Sequence, residues 1–392
     1  MTLLAWVHPA VLAEYLLGAG VRVRRSVHGH HRRPGDVPDI VRGCVDACWN
    51  GHCYVASPGH FRMFWTRDLG FSAPALARSS ERERDRLHAS LDWALGVWTR
   101  HRSHVTTTIH FFEHPGDAFS YGVDSLPLLL AALRAAGAED LVDRHRAWLA
   151  RELIDYCARV VDPGTGLVRA DRTFSGHRDT VVDRSTAYGN AMVALLAKTL
   201  VETGWFDSPL ERFFDGDHGR LLRRHFWRDD RFVDALGTER TSGEANVWPF
   251  WTGVIGDREL LGRALATLER DGFTDPLPLR YETRRRTEHE VWITRHLLPG
   301  YQGSTMWTSI GSMYLWLLRT IDPIAAQAGI RDYEAWIRRD GTFWEVLDET
   351  GHCWVSPRRV FIGDESMLWG AIFLDLLEHP DAGPPLLSPV SG

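Results

Sequence analysis

Apolar residues recur with the three- and four-residue spacing of α-helices over most of the chain, most clearly in 84–100, 125–137, 139–160, 185–203, 258–271, 304–321 and 364–378. The two-residue alternation of a half-buried strand is sparse. Segments 185–200 and 305–318 carry apolar or small residues almost all the way round, whereas 81–100 and 139–159 keep a charged face. A helix with no polar face is sheathed by other helices, and one with a single apolar stripe lies outside them. The pattern therefore predicts an all-α protein in which inner and outer helices alternate.

Several loops end in a carboxylate immediately before an apolar helix: Arg67-Asp68 before Leu69, Asp124 before Ser125, Asp183 before Arg184, and Asp364-Glu365 before Ser366. Helix capping accounts for part of this, because Asp accepts hydrogen bonds from the free N–H groups of a first turn. If the inner helices all start at one rim, these carboxylates converge on a single mouth, which is where a site is expected. Repeated helical hairpins would close into a ring, with turns such as Asp162-Pro163-Gly164-Thr165-Gly166 between them. No linker rich in Gly, Pro or Ser precedes Gly383-Pro384-Pro385, so residues 1–380 read as one domain and 381–392 as a frayed tail.

A chain of 392 residues with 44% hydrophobic content can bury a large core. Its 45 basic and 51 acidic residues leave a charge of -6, which offers no electrostatic footprint for nucleic acid or an anionic membrane and suits a neutral substrate. Of the 17 Trp, 9 Tyr and 17 Phe, most belong to the core, but flat apolar faces also stack on the C–H faces of sugars. No apolar run approaches the roughly 20 residues of a spanning helix, and the start, Met1-Thr2-Leu3-Leu4-Ala5-Trp6-Val7-His8-Pro9, lacks a basic leader region; a cytoplasmic protein is expected. Cys44, Cys48, His52 and Cys53 lie close together, yet no second ligand pair follows, so they read as buried thiols with no metal. Phosphate-cradling, Gly-x-Ser-x-Gly and His-Glu-x-x-His sequences are absent, and no cofactor is expected.

The segment Gly341-Thr342-Phe343-Trp344-Glu345-Val346-Leu347-Asp348 holds a carboxylate between aromatic and apolar residues. Phe64-Trp65-Thr66-Arg67-Asp68 and Ser175-Gly176-His177-Arg178-Asp179 offer two more in similar settings on separate elements. Acid/base work on a polar, ring-shaped substrate needs such groups, and the cleavage of glycosidic bonds is the chemistry they fit.

These segments resemble the six-hairpin, α/α-toroid glycosidases, which include glucoamylases, the glucosidase part of glycogen debranching enzymes, processing α-glucosidases, trehalases and neutral invertases. Phe64-Trp65-Thr66-Arg67-Asp68 resembles the Trp-Gly-Arg-Asp motif, whose Asp binds hydroxyls of the sugar at the cleaved end, with Thr66 in place of the usual Gly. Tyr121-Gly122-Val123-Asp124 is similar to the Asp-bearing segment before another inner helix. Gly166-Leu167 followed by Ser175 to Asp179 resembles the stretch carrying the general acid, and Val182-Asp183 with Tyr188-Gly189-Asn190-Ala191 resembles the inner helix after it. Gly300-Tyr301-Gln302-Gly303-Ser304-Thr305-Met306-Trp307 is similar to the Tyr-His-Asn-Gly-Thr-Val-Trp segment, and the stretch around Glu345 resembles the one carrying the general base. All lie in family order.

The resemblance implies an α/α toroid (six-hairpin barrel) and an inverting, exo-acting glycoside hydrolase. With no room for the β-sandwich of many relatives, its substrate would be a short, neutral, gluco-configured oligosaccharide or glycoside. Asp179 would be the general acid, with Asp183 as the alternative because in invertase-like members the Asp directly precedes the inner helix. Glu345 would be the base, with Glu365, which also opens a late helix, as its rival. Arg67 and Asp68 would bind hydroxyls, together with Tyr121, Asp124, Tyr301 and Gln302 of the matched segments, between walls of Trp65, Trp307 and Trp344. Glu244 and Trp248, in a stretch read as a loop over 241–250, would contact a leaving group. Two other classes stay open: a sugar epimerase using a pair among His104, His110, His114 and His177, and a non-catalytic carbohydrate-binding protein.

Overall fold

The computed structural model describes residues 9–207, 209–212 and 217–381; the start of the chain and the tail from 382 lie outside them. The helices are α1 (Pro9–His28), α2 (Val37–Ala47), α3 (Thr66–Ser79), α4 (Glu81–His101), α5 (Ser125–Ala136), α6 (Glu139–Val160) and α7 (Ala187–Thr203). They continue with α8 (His218–Phe226), α9 (Gly243–Trp251), α10 (Arg258–Arg270), α11 (Trp292–Leu297), α12 (Thr308–Ile321), α13 (Pro323–Asp340) and α14 (Gly370–Glu378). Among the described residues the strands are two or three residues long. The fold is all-α.

Six helices form a closed circuit: α3 packs on α5, α5 on α7, α7 on α9, α9 on α12, α12 on α14, and α14 returns to α3. These are the helices with little or no polar face, and α9 is buried along its whole length. Fully burying a large apolar side chain stabilises by about 1.5–3 kcal/mol, so helices apolar all round are stable only inside such a jacket. Gly70 brings α3 close to α5, since a Cβ there would lie 2.6 Å from that of Leu128. The jacket is made by α2 on α14, α4 on α3 and α5, α6 on α5, α8 on α7, α10 on α9 and α12, and α13 on α12.

Three boundaries differ from the sequence reading. The stretch over 241–250 is not a loop but α9, capped by Ser242, whose side chain accepts from the Ala245 N–H. The helix expected from 304 begins at Thr308, because Met306–Trp307 (β6) pairs antiparallel with Val346–Leu347 (β7). The late helix does not open at Glu365: Trp344 and Glu365 pair as extended backbone, Ser366 has positive φ, and α14 starts at Gly370. The other short strands are Phe64–Trp65 (β1), Thr108–His110 (β2) and His114–Gly116 (β3), which form one antiparallel sheet, and the hairpin Trp227–Arg228 (β4) with Arg231–Phe232 (β5). No described helix is long and apolar enough to cross a membrane.

Candidate active site

The starts of α3 and α12 open into a cavity of about 640 Å³, walled by Trp65, Phe61, Phe71, Trp307, Phe361 and Trp369. Trp65 and Trp307 each stand at the end of a two-residue strand just before a helix. Their strand neighbours point the other way, as the period of two requires: Phe64 packs on Trp93 and Trp98 in the core.

Arg67, in the first turn of α3, gathers the carboxylates on one side. Its Nη2 donates to Asp124 at 3.1 Å and its Nη1 to Asp179 at 2.7 Å. Asp124 stands at the N-cap of α5 but makes no side-chain cap bond; it accepts instead from Arg67 and the Tyr188 hydroxyl. Asp179 also accepts from Ser175 Oγ at 2.7 Å, and its side chain keeps 15% of its surface exposed, toward the cavity it lines. Burial pushes the Asp179 carboxyl up, against the opposing pull of Arg67 and Ser175. Asp68 lines the same cavity, and burial pushes it up to about 7 although Arg67 pulls it down.

Glu345 faces this group from a different part of the chain. Its backbone is held between the start of α12 and the extended segment at Asp364, with the Thr308 N–H donating to its carbonyl at 3.3 Å and its own N–H donating to the Asp364 carbonyl at 2.9 Å. The carboxylate accepts from the Tyr301 hydroxyl on Oε1 and from the Asp364 N–H on Oε2 at 2.7 Å. Burial nonetheless pushes Glu345 up to about 8, because two hydrogen bonds do not restore the solvation lost. Tyr301 and Gln302 also line the cavity, with Gln302 Oε1 accepting from the Thr180 N–H at 2.7 Å.

The remaining sequence candidates lie off this cavity. Asp183 pairs with Arg240 and with His289 Nδ1, 3.2 Å away. Glu244 accepts from buried Arg178 at 2.6 Å, and Trp248 is a core residue whose Nε1 donates to His177 at 3.3 Å. Tyr121 packs on His104 under Arg159. Trp344 cannot share a wall with Glu345, because adjacent residues of an extended strand point to opposite sides; its Nε1 donates to Asp340 and Arg25 lies over its ring. Glu365 accepts from the His31 N–H at 2.7 Å, behind the site. Asp124 is fully buried and touches the cavity only through Arg67.

Of the four candidate histidines, His110, His114 and His177 line the cavity. His104 instead pairs with Asp117 at 2.7 Å. Sequence reasoning missed the contribution of α1, which supplies Glu14, Gly18 and Arg22 to the wall. Glu14 Oε1 accepts from the Phe111 N–H at 2.9 Å and Oε2 meets His110 Nδ1 at 2.5 Å. A lone acidic residue in an otherwise apolar first half of a helix was the available signal.

No protein-family model matches the sequence, and no curated protein matches it either. Solved structures do match the fold. A glycosidase variant in complex with glucose superposes with a TM-score of 0.64 at 16% identity, covering 87% of this chain and 96% of its own. A rhamnosidase from Klebsiella oxytoca with rhamnose bound gives 0.63 at 14% identity, over 88% of this chain and 63% of that one. A mannosylglycerate hydrolase from Thermus thermophilus in complex with Tris gives 0.57 at 15% identity, over 87% of this chain and the whole of that one. The chain shares an all-α fold with these glycosidases.

Proposed function

We propose that this chain is an inverting, exo-acting glycoside hydrolase of the six-hairpin type, with Asp179 as general acid and Glu345 as general base. The observation that carries the reading is the placement of these two carboxyl groups, distant in sequence, on one aromatic-walled cavity. Both are pushed above their ordinary range by burial. The closed circuit of six jacketed helices supports the toroid, and glycosidases of the same fold, one holding glucose and one rhamnose, support the reaction class.

In the proposed mechanism Asp179 donates its proton to the leaving oxygen as the glycosidic bond breaks, while Glu345 takes a proton from the attacking water on the opposite face of the ring. Asp68 and Arg67 accept and donate hydrogen bonds at sugar hydroxyls, and Trp65 and Trp307 pack on the ring. A cavity of about 640 Å³ holds a short glycoside, not a polymer threaded through. The test is a panel of disaccharides and aryl glucosides followed by proton NMR. The expected result is a reducing sugar first released with inverted anomeric configuration, abolished in Glu345→Gln. Release with retained configuration would sink the mechanism.

His110, His114 and His177 on the same cavity favour one second reading, a sugar epimerase. That activity would survive Glu345→Gln and release no aglycone.

A further inference from the structure

We propose that Asp364 is a positioning residue for Glu345 and that Arg25 of the N-terminal helix holds it in place, which makes α1 a working part of the site; this rests on the hydrolase reading above. Asp364 holds Glu345 twice through its own backbone: the Glu345 N–H donates to the Asp364 carbonyl, and the Asp364 N–H donates to Glu345 Oε2 at 2.7 Å. The second bond sets the direction of the carboxylate, so any movement of residue 364 turns the base. Asp364 is itself fully buried, and its carboxylate is saturated with donors. It accepts from Arg25 Nη1 at 3.1 Å, from the His60 and Phe61 N–H groups at 2.8 and 3.1 Å, from the Glu365 N–H at 2.9 Å and from the Ser57 hydroxyl, with His60 Nδ1 at 3.4 Å. One carboxylate thus fixes both the base and the 57–61 loop, whose His60 and Phe61 line the cavity. There is no spare room: a Cβ at Gly59 would overlap the Asp364 carboxylate.

Arg25 completes the arrangement from outside the helical circuit. Its Nη2 donates to the Gly363 carbonyl at 2.8 Å, its Nε lies 3.9 Å from Glu365, and its guanidinium sits over the Trp344 ring. The four residues it touches, 344, 363, 364 and 365, are those that flank Glu345 in the chain or across the extended pairing. A charge buried to this degree, with every partner adjacent to one side chain, ties the seating of α1 to the aim of that side chain. The same helix carries Glu14 and Arg22 in the cavity wall.

The test uses the full chain and whichever anomer of 4-nitrophenyl glucoside it cleaves. Arg25→Met should lower kcat by about ten- to hundredfold with KM nearly unchanged, the pattern of a misaimed reacting group and an intact binding pocket. Arg25→Lys, which restores a charge toward Asp364, should recover most of it. Asp364→Asn is the harsher variant; if it does not fold, the Arg25 pair alone decides. An active wild type whose Arg25→Met keeps its kcat, or loses activity through KM alone, overturns the proposal and leaves the hydrolase reading standing. A wild type that cleaves no glycoside, or an undiminished Glu345→Gln, removes the reading on which it rests.

Discussion

Arg67 donates to Asp179 at 2.7 Å while the same guanidinium holds the fully buried Asp124, so the proposed acid is tied to the core by the neighbour of Asp68, the carboxyl group proposed to bind sugar hydroxyls. The arrangement sets two carboxyl groups against one cation in a nearly dry environment. Breaking a buried pair by removing one partner costs far more than the pair contributes, because a charge is left unpaired. Arg67→Met is therefore expected to destabilise the fold by about 3–5 kcal/mol. Urea denaturation at pH 7 measures it, and a loss under about 1 kcal/mol would show that the cluster is already neutral.

Asp179 and Asp183 separate by their partners. Asp179→Asn should slow hydrolysis strongly for glycosides with poor leaving groups and much less for 2,4-dinitrophenyl glycosides, whose departure needs little protonation. Asp183, joined to Arg240 and His289 away from the cavity, should behave oppositely: Asp183→Asn costs stability and leaves the leaving-group dependence unchanged. Plotting log kcat against leaving-group pKa for both variants distinguishes them, and a steepened slope only in Asp183→Asn would reverse the assignment.

Eight of the residues singled out from the sequence for hydrolysis meet at the cavity: Trp65, Arg67, Asp68, Asp179, Tyr301, Gln302, Trp307 and Glu345. They were legible because each lies in a short motif that resembles a glycosidase segment, and the motifs keep their order along the chain. Trp344 and Asp183 lie off this cavity, which their sequence context could not show, since type and neighbourhood do not reveal on which side of an extended strand a ring falls, or which arginine reaches a carboxylate. The same distinction holds for the fold. Helix α6 spans 139–160 as its apolar stripe predicts, uninterrupted by Gly or Pro. Helix α9 is nine residues long and buried on every side, so it has no stripe to read, and its Ser242, Gly243 and Pro249 resemble turn chemistry. The role of α1 rests on Glu14 and Arg25 finding partners roughly a hundred and over three hundred residues away, which no local pattern encodes.

Tyr301 donates its hydroxyl proton to Glu345, and a hydrogen bond to the charged form holds a carboxyl pKa down. Tyr301→Phe removes that restraint, so a smaller fraction of Glu345 is ionised at neutral pH. The expected kcat/KM at pH 6.5 falls by about tenfold per unit of further rise. The ratio of wild-type to variant should shrink as the pH is raised, and a ratio independent of pH would show that Tyr301 acts only in binding.

Glu345 gives the fold a pH dependence of definite sign. Its carboxyl is raised from 4.5 to about 8 by burial, so the folded chain binds a proton more tightly than the unfolded chain does. Stability from this group is complete below pH 4.5 and is lost as pH rises through 8, because the unfolded chain gives up the proton first. Asp68, raised to about 7, adds a loss of the same sign over a lower window. Glu345→Gln keeps a neutral, nearly isosteric side chain in place and removes only the Glu345 contribution. The variant should melt close to wild type at pH 4.5 and clearly above it at pH 9, a difference on the order of a few kcal/mol. Parallel melting curves across that range would mean that Glu345 is ionised in the folded protein well below pH 8, and that its burial is offset by solvent or by Tyr301 more fully than the geometry indicates.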